Sequence, residues 1–302
     1  MSEPVVPWAL PELLREGALP LAPRPAPDGP LEAALVLAPG VPTPAAAGLP
    51  GELLDALGEA GAAVRVLGAD DAGQAAGADV VLAAGWLAAP AILRVPGVGI
   101  RAVLATADPL PFAELGWAEG LRVLGPTWMG GALPPAADVA YRPQSVLRRD
   151  DLVLVHGTDS LGLLAAAELA ERRPGLTFAV TGAPEDLVLP FPFLGVDGGG
   201  RALAHAFSSA TVALAPPVRG WRPAAVAMLA CGQAVVAPDG PAARAALGDV
   251  AALAAGPLEA AGAAEAFLDD LALRADRARA GLDRVRAWPA IATGLVAALR
   301  SP

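Results

Sequence analysis

The sequence predicts an α/β protein built as two Rossmann-like domains. Three observations carry this. The chain has 302 residues, long for a single hydrophobic core. Short uncharged runs recur in both halves: AALVLA (33–38), TVALAP (211–216) and AVVAP (234–238). Each has the length and apolar continuity of a strand covered on both faces. Helical patterns separate these runs, and that alternation is the signature of a parallel sheet wrapped by helices.

Taken in order, residues 1–30 are proline-rich with one helical candidate, Leu10–Gly17, and read as an irregular N-terminal arm. The first domain spans 31–145. It opens with the strand Ala33–Ala38, a Gly/Pro loop, the helix Glu52–Gly61 and the strand Ala63–Leu67. The loop lacks G-x-G-x-x-G and a Walker lysine, so phosphate cradling there has weak support. Gly40 is the candidate for close backbone approach, with a plain turn the equal alternative. ADVVLAAGW (78–86) reads as a strand running into a helix over Leu87–Leu93, followed by the strand Ile100–Thr106. Asp108 lies beyond that strand, before Pro109, where capping or a turn is the common role. Leu121–Gly125 is the next strand. Arg148-Arg149-Asp150-Asp151 reads as a solvated linker.

The second domain spans 146–285 and opens on the strand Leu152–His156. The loop Gly157-Thr158-Asp159-Ser160 leads into the helix Leu161–Glu171. Its first amides, with Thr158 or Ser160, suit a phosphate. Asp159 opposes that, and a capping role for Asp159 or Ser160 is favoured. Leu176–Thr181 is a strand, Phe193 begins another, and Asp197–Gly200 turns into the helix Arg201–Ser208. After the strand Thr211–Pro216 comes VRGWRP, which places Arg219, Gly220 and Arg222 before the helix Ala224–Cys231. In open α/β sheets, ligands gather where strands end and helices begin. A crossover loop with solvated arginines is the alternative. Asp239 follows the strand Ala234–Ala237, with capping of the helix Ala242–Leu247 as its plain role. Gly248–Leu253 reads as a short strand, then helices cover Leu258–Leu271 and Arg274–Leu299, the second broken at Trp288-Pro289. Residues 286–302 form a terminal helix.

Composition excludes several classes. Net charge is −10 with no basic block, which speaks against nucleic-acid binding. All 21 basic residues are arginines, a genome-level bias that makes arginine by itself no signal. The single cysteine, Cys231, excludes a disulfide framework and reads as a small buried hydrophobe. No D-x-D, H-E-x-x-H or His/Cys cluster suggests a metal, and no G-x-S-x-G suggests a hydrolase. The longest uncharged stretch, Ala33–Gly51, is interrupted by Pro39, Pro42, Pro44 and Pro50, so a transmembrane helix is not expected. With no signal peptide either, the expectation is a cytoplasmic protein.

The stretch AMLACGQAVVAPDGPAARAALGD (227–249) resembles the donor-site region of retaining GT-B glycosyltransferases of family four, and within them the rhamnosyltransferase-like branch. Trp117-Ala118-Glu119, Pro126-Thr127-Trp128 and Tyr141-Arg142-Pro143 resemble the same branch. The resemblance implies two domains facing a cleft and a last helix crossing back to the first. It also implies transfer of a hexose or deoxyhexose from a nucleotide-sugar to a glycan or other acceptor, with no cofactor and no metal. It points to Asp108 as the acid that orients an acceptor hydroxyl and to Gly40 on the acceptor side. On the donor side it points to His156, Thr158, Ser160, Arg219, Gly220, Arg222 and Asp239. Ala230-Cys231-Gly232 takes the family's turn, but the glutamates of the E-x7-E pattern fall on Arg219 and Ala227. That departure supports a second reading, a GT-B protein without turnover that serves as a binding or scaffold partner, to an active transferase or to its own copies. A nicotinamide oxidoreductase is a weaker third, because GVDGGG (195–200) has the wrong glycine spacing.

Overall fold

The computed structural model describes residues 19, 21–22, 29–106, 121–129, 131–157, 159–183 and 187–300. The chain divides into two compact units, Met1–Leu133 with Trp288–Pro302, and Pro134–Ala287.

The first unit contains β1 (Leu31–Val36), α1 (Gly51–Glu59), β2 (Ala62–Leu67), β3 (Val80–Ala84), α2 (Ala89–Leu93), β4 (Ile100–Leu104) and β5 (Leu121–Leu124). All pairings are parallel, in the order β2-β1-β3-β4-β5. The chain steps from β1 one way to β2 and then the other way through β3, so the topology switches between β1 and β3. β3 is buried along its whole length, as expected of a strand covered on both faces. The helix expected over Leu87–Leu93 is shorter. A 3-10 turn holds Trp86–Ala88, and α2 begins at Ala89 with proline in its first turn, where a missing N–H costs no hydrogen bond. The described residues of the arm are tied down, with Leu19 N donating to Leu93 O and Ala22 N to Val98 O, each at 2.9 Å.

The second unit contains β6 (Ala136–Ala137), β7 (Arg149–His156), α3 (Ser160–Arg172), β8 (Thr177–Thr181), β9 (Phe193–Val196), α4 (Arg201–Ser209) and β10 (Ala210–Leu214). It continues with α5 (Ala224–Ala230), β11 (Ala234–Pro238), α6 (Pro241–Leu247), β12 (Ala252–Ala254), α7 (Pro257–Asp269), α8 (Leu271–Arg284) and β13 (Arg286–Ala287). Its main sheet is parallel in the order β12-β11-β10-β7-β8-β9, the dinucleotide-fold order with its switch point between β7 and β10. One face carries Val153, Val155, Val180, Val212 and Val236 against alanines of α3 and α7, notably Ala165, Ala166, Ala260 and Ala264. Alanine on the helices lets their backbones approach the sheet closely.

Two expectations need correction. Arg149, Asp150 and Asp151 are not a linker but the first residues of β7. Arg149 Nη2 donates to Asp151 Oδ2 at 2.7 Å and to Thr177 Oγ1 at 3.0 Å, so the charges are satisfied along the sheet's rim while the backbone joins the ladder. Trp288-Pro289 does not kink one long helix. α8 ends at Arg284, β13 pairs with β6, and α9 (Trp288–Arg300) then starts anew with Pro289 in its first turn. α9 belongs to the first unit and packs on α1. Arg122 Nη1 donates to Ala298 O at 2.9 Å, and Arg300 Nη2 to Gly29 O at 3.2 Å.

Candidate functional site

In the second unit, β7 and β10 pair side by side, with Val155 opposite Leu214, so the loops that follow them leave the sheet together. The loop after β10 runs from Ala215 to Pro223. Val218 and Trp221 are buried, while Arg219 and Arg222 are exposed. Gly220, at φ +62°, makes the left-handed turn between them, a conformation that a side chain would strain. Two apolar anchors thus fix a short loop that leaves the Arg219 guanidinium in solvent. No hydrogen bond or ion pair joins Arg219 to another described residue. Partial desolvation lowers Arg222 from the ordinary arginine range.

His156 is the last residue of β7 and stands opposite Thr181 at the end of β8. Burial pulls its imidazole pKa below the ordinary 6.5, against a smaller upward pull from Asp159. The ring is therefore neutral at neutral pH. Because the folded value is depressed, the unfolded chain takes up its proton first on acidification. The stabilisation from a neutral His156 is complete above about pH 6.5 and is lost as pH falls toward the folded value. A His156→Gln variant should show a shallower loss of urea stability as pH falls below about 6.5 than the natural chain. An equal loss would remove His156 as the titrating group.

Asp159 caps α3. Its Oδ2 accepts from Gly162 N at 2.9 Å, and the side chain is buried. The expected cap is thus Asp159 and not Ser160, which is exposed at the first helical position. A first-turn amide open to a phosphate in an uncapped helix is here taken by the protein's own carboxylate, which also repels anions. Asp159→Ala should cost about 1 kcal/mol in urea unfolding, the usual loss for an N-cap; no measurable loss would contradict the cap. Thr158 lies outside the described residues.

Asp239 follows the buried part of β11, one strand beyond β10. Its expected plain role, capping the next helix, is not what is found: Gly240 holds the cap position of α6 without a side-chain bond. Asp239 instead takes a two-pronged ion pair from Arg244, Nε to Oδ1 at 2.8 Å and Nη2 to Oδ2 at 2.5 Å. That guanidinium holds the carboxyl below the usual carboxylate range. Thr181 was missed by sequence reasoning. The residue is 2% exposed and its hydroxyl lacks a partner among the described residues, and the only signal was a hydroxyl ending the apolar strand TFAVT before Gly182.

In the first unit, β1 and β3 pair side by side, and Gly40 sits in the loop after β1 at φ +75°. A Cβ there would touch nothing within 4 Å, so the turn itself accounts for the glycine. At Gly85, φ +84°, just after β3, a Cβ would come within 2.9 Å of Thr106. Asp108 lies outside the described residues. The sequence-predicted residues therefore fall into two sets: Gly40 at the first unit's switch point, and His156, Ser160, Arg219, Gly220, Arg222 and Asp239 along the same edge of the second unit's sheet. Cys231 is buried and its thiol is pushed up to about 12 by desolvation, as suits an inert packing residue. Among the described residues no group of three or more His, Cys, Asp or Glu gathers as metal ligands would, and no helix is long and apolar enough to cross a membrane.

No protein-family model and no curated protein sequence matches the chain. Solved structures do. AviGT4, a glycosyltransferase involved in avilamycin A biosynthesis, superposes with a TM-score of 0.57 at 21% identity, over 90% of this chain and 97% of that one. HepE of Anabaena, solved in complex with UDP and glucose, superposes with a TM-score of 0.57 at 15% identity, over 89% of this chain and 99% of that one. Identities this low speak to architecture alone. The chain has the α/β fold of the GT-B glycosyltransferases, with two Rossmann-like domains.

Proposed function

We propose that this protein is a glycosyltransferase of the family-four type. It moves a hexose or deoxyhexose from a nucleotide-sugar to a glycan or other acceptor, without a metal ion. The observation that carries the reading is the β7–β10 switch point, flanked by a loop that buries Val218 and Trp221 and presents Arg219 and Arg222. In the reaction, the acceptor hydroxyl oxygen bonds the anomeric carbon as the bond from that carbon to the diphosphate oxygen breaks. The nucleoside diphosphate leaves with the electron pair, and the hydroxyl proton passes to a base. Negative charge grows on the leaving diphosphate, so cations already fixed beside it stabilise the transition state more than the ground state.

Each residue has a role in this reading. Arg219 and Arg222 neutralise the diphosphate. Neutral His156, the Ser160 hydroxyl, Thr158 and the backbone at Gly220 supply hydrogen bonds to phosphate or sugar. Asp239, kept ionised by Arg244, accepts from a donor hydroxyl. Gly40 belongs to the acceptor side, and Asp108 orients the acceptor hydroxyl. The test is calorimetry with UDP-, dTDP- and GDP-sugars in the presence of a chelator. Binding of at least one donor is expected; no binding, or binding only with a divalent ion, would overturn the reading. The second reading, a binding or scaffold protein without turnover, draws support from Arg219 and Ala227 where the resembled family has glutamates, and from the carboxylate that caps α3. Nucleotide binding with no sugar transfer to any acceptor in the protein's own cell extract would favour it.

A further inference from the structure

We infer that the acceptor bears no phosphate or carboxylate and has an apolar body, held at the β1–β3 switch point of the first unit. The inference rests on the glycosyltransferase reading for the word acceptor, but its observations are independent of the donor side. The loops on either side of this switch point carry no charged side chain: none occurs from Leu37 to Gly51 after β1, and none from Gly85 to Leu93 after β3. The corresponding loop after β10 presents two arginines. Within the loop after β3, Leu87 is 51% exposed beside the half-buried Trp86, so an apolar side chain stands in water at the place where open α/β sheets receive ligands. The helix that starts from the loop after β1 is α1, and Glu52 stands in its first turn. The charge of that carboxylate repels an anion brought to the same end of the helix.

These features discriminate between acceptors. A phosphate or carboxylate brought here would lose hydration and find no cation in these two loops to pair with, which is costly. A neutral sugar bearing an aryl or alkyl body would cover Leu87 and the proline-rich loop, and gain by removing apolar surface from water.

The test is titration of the full chain with three probes: 4-nitrophenyl β-D-glucoside, 4-nitrophenyl phosphate and glucose 6-phosphate. The glucoside should bind at least about tenfold more tightly than either anion. Leu87→Asp should weaken glucoside binding by about tenfold and leave UDP binding unchanged. Leu194→Asp, which changes an exposed leucine on β9 in the other unit, should leave glucoside binding unchanged. The inference is overturned by an anion binding as tightly as the glucoside, by no binding of any probe, by wild-type binding in Leu87→Asp, or by an equal loss in Leu194→Asp. The UDP titration judges the transferase reading separately. Glucoside binding that depends on Leu87, in a chain that binds no nucleotide, would count against the transferase and for the apolar site.

Discussion

Arg219→Ala should weaken nucleoside diphosphate binding by about ten- to a hundredfold, with the fold intact. A charge-assisted hydrogen bond contributes roughly 1.5–3 kcal/mol, and each 1.4 kcal/mol is about tenfold in affinity. Arg219 is joined to no other described residue, so no internal pair is broken when it goes and the loss reads the diphosphate contact alone. The loop should keep its shape, since Val218, Trp221 and the turn at Gly220 hold it. The salt dependence of binding should also flatten, as expected when one phosphate-facing cation is lost. Arg279→Ala is the control: it removes the same charge from an exposed position on α8, and should change affinity little. Equal affinity in Arg219→Ala and the natural chain would place the diphosphate elsewhere, and would leave the scaffold reading as the better account. The double change Arg219→Glu with Ala227→Glu restores the acids of the resembled family. It regains ribose hydrogen bonds only where the partly buried position of Ala227 can solvate or pair a carboxylate.

The largest stability effect is expected away from both sites. Arg101 lies in β4, is 3% exposed, and has no acid against it among its hydrogen bonds. Its guanidinium is satisfied by backbone carbonyls: Nε donates to Ile92 O at 3.0 Å, Nη2 to Val95 O at 2.8 Å, and Nη1 to Leu19 O. Burial lowers its pKa from the ordinary arginine value, so the charge is held at some cost and the three carbonyls offset it. Arg101→Met keeps much of the side-chain volume but strands those carbonyls away from water. Each buried acceptor left unmade costs roughly 1–3 kcal/mol, so a loss of about 3 kcal/mol or more in urea unfolding of the first unit is expected. The chain at Leu19 should also become more susceptible to proteolysis, because Leu19 O loses its bond to Arg101. Arg101→Lys keeps the charge but cannot reproduce the planar fork, and should fall between the two. A loss below about 0.5 kcal/mol in Arg101→Met would mean that water replaces the guanidinium at no cost.

Much of this protein was legible in the sequence because much of it is locally determined. Strands such as 210–214 and 234–238 are uncharged runs that only a doubly covered sheet accommodates, and both are present. The start of α3 was legible because an aspartate before an apolar helical pattern competes for the first free amides, a matter of three residues. The burial of Cys231 followed from its apolar neighbours. What the sequence could not state is which strands lie side by side. β7 pairs with β10 across α3, β8, β9 and α4, and that non-local pairing alone creates the switch point that brings the loop of Arg219 next to the end of β7. The partners of long polar side chains were likewise set by tertiary structure. Arg149 met Asp151 and Thr177 on a sheet rim, where sequence suggested a solvated linker. Arg101 found carbonyls at Leu19, Ile92 and Val95. Asp239 was drawn to Arg244 instead of the helix amides. Thr181 became notable only because the strand end buried its hydroxyl. Periodicity, capping and turn chemistry act over a few residues and are written in the chain. Strand order, burial of single polar atoms and ion-pair choice depend on groups that are distant in sequence, and exist only once the sheets have formed.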